Sequence, residues 1–193
     1  TPLEARQAQL TRAFIKNALA ALVIVLLLAA AFLILMLLYK RSLAQRAELD
    51  DLTGLPNRTH VQRRFRQLEK AGVERCVIII DLDRFKLIND SYGHDAGDRV
   101  LRAAANTFKQ ELREEDIVSR WGGEEFVMLI PASSIELGRA IAERARTNLE
   151  ALEIEIQSSK VSVTASLGVA FGSAGKESLA ELLARADKML YEA

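Results

Sequence analysis

From Ala18 to Tyr39 the chain runs for about 22 residues without a charge or a proline, and as a helix rising about 1.5 Å per residue it reaches about 33 Å. That length crosses the hydrocarbon core of a bilayer, so one transmembrane helix is expected over residues 18–39. A secretory signal would have a shorter apolar region and a small-residue cleavage site, whereas this run closes on Leu37-Leu-Tyr-Lys-Arg41. Arg12 and Lys16 lie on one side and Lys40, Arg41 and Arg46 on the other, so basic residues barely favour either orientation. The formal charge of the 193 residues is balanced and names no partner. The single cysteine, Cys76, lies in the apolar run Cys76–Ile80, reads as a buried thiol and permits no disulfide within one chain.

Beyond the membrane, residues 40–49 read as a polar signalling helix, broken by Asp50-Asp-Leu-Thr-Gly-Leu-Pro-Asn57 with its glycine and proline. A domain boundary is therefore expected near residue 49, with residues 1–17 the tail of an upstream segment. The apolar spacing predicts helices over 61–68, through Val100, Leu101, Ala104, Phe108 and Leu112, through Leu137, Ile141, Ala145 and Leu149, and over 179–190. Residues 76–82 read as a buried strand, 117–121 and 126–130 as a hairpin, and the alternation from Val161 to Val169 as one strand with one apolar face. Helices mixed with at least four strands, two of them a hairpin, indicate an α/β (α+β) layer with an antiparallel component. No initiator methionine is present and the last helical pattern stops at Ala193 without a cap, so a longer parent protein is expected.

The hairpin tip reads Arg120-Trp-Gly-Gly-Glu-Glu-Phe126. Gly122 and Gly123 are expected to supply positive φ and let a ligand approach the backbone, where Glu124 and Glu125 offer hard oxygen donors. Alone, such a string also reads as an ordinary charged turn. A second acidic pair, Asp81-Leu-Asp83, stands where a buried strand emerges, the usual place for ligands in α/β sheets. A carboxylate at a strand end facing another on a neighbouring hairpin suits magnesium, which takes few protein oxygens and completes its shell with water and phosphate. Lys86 can neutralise phosphate, though alone it also reads as a solvated surface lysine. Asn89 and Asp98 offer the donor and acceptor pattern of a purine edge. Other signatures fail: Ala170 and Glu177 break a phosphate-loop pattern around Gly172–Ser178, Phe85 and Leu87 break a calcium-loop pattern, and His60 and His94 are too few for zinc.

Five segments in order resemble the successive motifs of the GGDEF domain of diguanylate cyclases: Asp50–Arg58, Asp81–Asp98, Arg120–Phe126, Ser166–Val169 and Ala186–Tyr191. The resemblance covers residues 50–193 and implies a palm-like nucleotidyl cyclase fold, with a central, mostly antiparallel sheet flanked by helices. It implies condensation of two GTP into cyclic di-GMP with release of two pyrophosphates, by a homodimer in which each domain holds one GTP. By position, Asp81, the Leu82 carbonyl and Glu124 would hold Mg2+ or Mn2+, Glu125 would help at a second metal, and Glu124 would accept the proton of the attacking 3′-hydroxyl. Asn89 and Asp98 would read guanine and His94 would lie beside the nucleotide. Lys86, the backbone of Arg84 and Phe85, and the Gly122–Gly123 turn would contact the substrate. Arg113-Glu-Glu-Asp116 matches the family's inhibitory product site. The family usually continues with a lysine and a Gly-Arg-Asn segment after the point where this chain stops.

The resemblance also implies a bacterial inner-membrane protein with a cytoplasmic catalytic domain and no nucleic-acid partner. The alternative is a non-catalytic cyclic di-GMP receptor or scaffold using Arg113 and Asp116, against which the intact Asp81, Glu124 and Glu125 speak.

Overall fold

The computed structural model describes residues 2–46, 48–156 and 159–190, and it divides into two compact units, Thr1–Ala47 and Glu48–Ala193. The first unit is one helix, α1 (Pro2–Arg46). Its 25 residues Ile15–Tyr39 are long and apolar enough to cross a membrane, and their large apolar side chains are exposed, Leu35 by 70%. Such a helix in water would leave a continuous apolar surface uncovered, and lipid removes that penalty.

The second unit begins where helix is expected but not found. Glu48 accepts the N–H of Asn57 at its carbonyl (2.8 Å), and its carboxylate pairs with His60 (3.0 Å) and Arg63, so Glu48 belongs to the domain's opening turn. Asn57 then caps α2 (Arg58–Lys70) by accepting the N–H groups of Thr59 (2.9 Å) and His60 (3.3 Å). The elements that follow are β1 (Arg75–Leu82), α3 (Phe85–Tyr92), α4 (His94–Gln110), β2 (Ile117–Gly122), β3 (Glu125–Pro131), α5 (Ile135–Glu150), β4 (Ile154–Ile156), β5 (Ser159–Val161), β6 (Ala165–Gly172) and α6 (Leu179–Leu190). Four strands form one antiparallel sheet in the order β2-β3-β1-β6, and β4 and β5 pair separately.

β1 is central and buried on both faces. Cys76, Ile78, Ile80 and Leu82 join a core with Val100, Ala104 and Phe108 of α4 and Ile141, Ala145 and Leu149 of α5. Val77 and Ile79 join a second core with Val61, Phe65 and Leu68 of α2 and Leu182 and Ala186 of α6. Helices on both faces explain the unbroken apolar run at 76–80, which reads like a parallel strand although every pairing is antiparallel. Phe108 meets Phe126 edge to face with centroids 5.2 Å apart, locking α4 onto β3. Burial places the Cys76 thiol beyond easy ionisation, its pKa pushed up to about 11.

Two expectations change. Leu112 lies beyond the end of α4, partly buried in the loop leading to β2. The alternation from Val161 to Val169 is two strands, β5 and β6, because the Thr164 carbonyl accepts the N–H of Asp83 (2.9 Å) and leaves the ladder there. β6 also has both faces covered: Leu167 and Val169 pack toward α5, and Ala170 packs under α6. Tyr191, the end of the last motif, lies outside the described residues.

α6 sits so close to β6 that a Cβ on Gly168 would fall 1.9 Å from the Ala186 carbonyl oxygen, a backbone atom that cannot rotate away. Gly168→Ala is therefore expected to lower stability by about 1–3 kcal/mol, read as a lower denaturant midpoint in Trp121 fluorescence.

Candidate active site

The site is assembled at one end of β1. Register sets Asp81 directly across from Glu125 on β3 and from Ser166 on β6. Asp81 is half-buried; burial raises its carboxyl above the usual range, and the charges of Glu124, Glu125 and Asp83 push it the same way. Asp81 and Glu124, 43 positions apart by subtraction of their numbers, thus feel each other's charge. The charges of three carboxylates thus reach Asp81 at this strand end. Asp83 is already engaged, accepting the hydroxyls of Thr164 (2.6 Å) and Ser166 (2.7 Å), which ties the start of β6 to the end of β1.

The three expected acidic ligands do not close into a cage. Among the described residues no group of three His, Cys, Asp or Glu side chains is placed to hold an ion by itself. Glu124 stands in the turn and Glu125 opens β3, and of the adjacent pair only Glu125 lines the cavities under α6. The donor set still fits a hard divalent cation: an acidic side chain held up by burial and by like charges, beside a strand-end carbonyl at Leu82. Magnesium binds through one or two carboxylates plus water and phosphate and needs no full protein cage.

The hairpin tip is held from outside the sheet. Arg120 donates from Nε (3.0 Å) and Nη2 (2.8 Å) to the Gly123 carbonyl, and from Nη1 to both oxygens of Asp50 (3.3 Å). Burial pushes the Asp50 carboxyl up, yet the two hydrogen bonds from Thr53 and the Arg120 charge outweigh it and hold it below the usual range. The turn that opens the domain is thereby fastened to the turn that presents Glu124. Arg120 and Asp50 both lie within motifs of the sequence, but a pair 70 positions apart leaves no local signal of this contact. Only Gly123 of the two glycines has positive φ, 41°. The turn is Gly123–Glu124, with Gly122 already paired to Glu125, and the register shifts between Arg120 and Gly122, a bulge at Trp121.

At the other side of Asp81, Arg84 adopts φ 56°, ψ 25° as the cap of α3, with no side-chain capping bond. A left-handed residue feeding a helix turns consecutive N–H groups toward one concavity, a backbone arrangement that binds anions. A non-glycine residue held there is strained by about 1–3 kcal/mol. Arg84 lines a cleft of about 710 Å³ with Asp81, Asp83, Leu87, Tyr92 and Thr164.

Lys86, Asn89, His94 and Asp98 do not line that cleft; they follow along α3 and α4. Gly97, unremarked in the sequence, holds Asn89 in place: a Cβ there would lie 2.0 Å from Asn89 Oδ1 and 3.0 Å from the Phe85 ring. A glycine inside a helical pattern was the available signal. Asp98, on the next position, makes among the described residues only a long ion pair with Arg102 (3.8 Å), which leaves its carboxylate available to a ligand.

Arg113 and Asp116 form a tight turn. The Arg113 N–H donates to Asp116 Oδ2 (3.0 Å), and the Asp116 N–H donates to the Arg113 carbonyl (3.2 Å). Burial pushes the Asp116 carboxyl up, partly opposed by that Arg113 N–H. Both residues line a cavity of about 310 Å³ with Gly54, Leu55 and Pro56 of the domain's opening turn.

This geometry has known counterparts. A family model described as "Diguanylate cyclase, GGDEF domain" matches residues 47–193. The chain belongs to the GGDEF family. It is 40% identical over 153 residues to the diguanylate cyclase DgcP of Pseudomonas aeruginosa, covering 77% of this chain and 23% of that protein. The diguanylate cyclase SiaD of Pseudomonas aeruginosa, solved with its activator SiaC, superposes with a TM-score of 0.71 at 33% identity, over 98% of this chain and 74% of SiaD. The coiled coil and GGDEF domain of DgcB from Caulobacter crescentus, in complex with c-di-GMP, gives a TM-score of 0.68 at 27% identity, over 84% of this chain and 88% of that one. The chain thus spans about a quarter of its DgcP relative's length.

The raised Asp81 carboxyl has a consequence for the metal-free protein. A raised folded-state pKa contributes stability at acidic pH that is lost as pH climbs through the raised value. Stability without metal is expected to fall as pH rises above the ordinary aspartate range, and Asp81→Asn to remove that part of the slope and to be the more stable protein at neutral pH. Denaturant melts of both proteins across pH 3–7 in the presence of a chelator check this; parallel curves would contradict it.

Proposed function

We propose that the chain is the catalytic part of a membrane-anchored diguanylate cyclase that condenses two GTP into cyclic di-GMP and two pyrophosphates. The observation that carries the proposal is Asp81 at the end of β1, set across from Glu125 and raised by the charges of Glu124 and Glu125, beside the left-handed start of α3.

In this reading the N–H groups at Arg84 and Phe85 hold the triphosphate, with Lys86 as a mobile counter-charge. The Asn89 amide and the Asp98 carboxylate read the guanine edge, with His94 beside the nucleotide and the Gly122–Gly123 turn leaving room for it. Asp81, the Leu82 carbonyl and Glu124 hold Mg2+ or Mn2+, and Glu125 assists a second ion. When bound, the cation lowers the pKa of the attacking 3′-hydroxyl and offsets charge on the α-phosphate. Glu124 accepts the hydroxyl proton at its carboxylate, and the Arg120 clamp on Gly123 keeps that carboxylate from drifting. Each domain presents one such site, so two copies must face each other before either 3′-hydroxyl reaches the opposite α-phosphate. Residues 40–49, between membrane and domain, form the natural lever for bringing them together.

Product binding at Arg113 and Asp116 supplies inhibition. Residues 18–39 anchor the protein in a bacterial inner membrane with residues 50–193 in the cytoplasm, where GTP is, and with the 1–17 segment leading toward an upstream sensor.

Incubation of the detergent-solubilised chain with GTP and Mg2+ is expected to release pyrophosphate and form cyclic di-GMP. Glu124→Gln is expected to lower kcat by about 10²-fold or more with little change in the melting temperature. Binding of cyclic di-GMP without any turnover of GTP would favour the receptor reading instead. Arg113→Ala is expected to raise the cyclic di-GMP concentration for half-inhibition by roughly tenfold or more, as loss of a charged hydrogen bond does. Unchanged inhibition would remove Arg113 from the product site.

A further inference from the structure

On the sheet face covered by α2 and α6 lies a cavity of about 610 Å³ that the cyclase reading does not use. Arg58 and Arg66 border it from α2, Lys176 from the turn before α6, and Phe65 and Trp121 give it aromatic walls. The Arg58 guanidinium lies 4.7 Å from the Trp121 ring centre, a cation–π contact, and the Arg58 side chain is exposed.

The charges around the cavity do not balance locally. Glu69 is taken up by buried Arg75 and by the Gly175 N–H, and Glu177 pairs with Arg185. Arg66 and Lys176 have no hydrogen-bond or ion-pair partner for their side chains among the described residues, and Arg58 has only its aromatic stack. Beneath the wall, Arg75 is fully buried, stacks 4.3 Å from the Phe65 ring centre and leaves its Nε without a partner. The volume suits a small molecule, and the pattern of apolar walls with a few convergent polar groups is that of a ligand site.

We propose that this cavity is a binding site for a small planar aromatic anion, whose ring stacks on the Arg58–Trp121 pair while Arg66 and Lys176 take its phosphate or carboxylate. Trp121 is the bulged residue next to the Gly122–Gly123 turn, so occupancy is felt at the hairpin that presents Glu124. The site is separate from the purine-reading Asn89 and Asp98 and from the Arg113–Asp116 turn, none of which lines it.

Trp121 is the chain's single tryptophan and reports the site directly. Titration of the full chain in detergent, without divalent metal, uses AMP as the phosphate-bearing ring and benzoate as the carboxylate-bearing ring. Saturable change in Trp121 emission is expected with at least one, and which one responds identifies the acid group. The exposed double variant Arg66→Ala/Lys176→Ala is expected to weaken that response by roughly tenfold or more, while Asp98→Ala leaves it unchanged. Absence of saturable change with both probes, equal affinity in the double variant, or loss of the response in Asp98→Ala would each overturn the site.

Discussion

The pairing of β1 between β3 and β6 is the constraint on which the rest of the domain depends. Its register decides which strand-end residues meet: Asp81 faces Glu125 on one side and Ser166 on the other, and a slip of one residue would turn Asp81 to the opposite face. That register is fixed by hydrophobic burial on both faces. Ile78 and Ile80 reach the α4–α5 layer while Val77 and Ile79 reach the α2–α6 layer, and a one-residue slip would exchange the two sets. The same apolar run that drives the sheet together therefore aims a carboxylate at its end.

That placement works against the stability of the metal-free protein. Asp81 is half-buried among like charges, an arrangement that nothing in the fold itself rewards and that a bound cation would relieve. Around it the structure is stiffened. Arg120 joins the Gly123 carbonyl to Asp50, Asp83 fastens Thr164 and Ser166, and Gly97 lets Asn89 lie against α4. Such side-chain bracing keeps groups in place at a site whose own electrostatics would push them apart.

Much of this was legible in the sequence because it rests on local rules. The long helices follow from apolar residues recurring every three to four positions, β1 from its apolar run, and the hairpin from the strands flanking Gly122 and Gly123. Legibility failed where two distant segments bargain over one backbone group. The strand read through Val161–Val169 breaks at Thr164 because Asp83, far upstream, takes its carbonyl. The helix expected over residues 40–49 stops at Arg46, and Glu48 instead engages Asn57, His60 and Arg63. The hairpin tip turns at Gly123–Glu124 with one left-handed glycine and a bulge at Trp121 before it, where Arg120 reaches the Gly123 carbonyl.

By itself the sequence determined the kinds of element, their order, an apolar segment fit for a membrane, and which acidic residues stand at chain positions able to serve chemistry. These follow from periodicity and residue type, which are properties of neighbours along the chain. Only the tertiary structure decided that Glu125 rather than Glu124 stands opposite Asp81 in the sheet, that Arg120 and Asp50 hold the tip, that Gly97 seats Asn89, and that Arg58 and Trp121 stack beside an open cavity. Those relations depend on register, close approach and unshared charge, which exist only once remote segments are packed together.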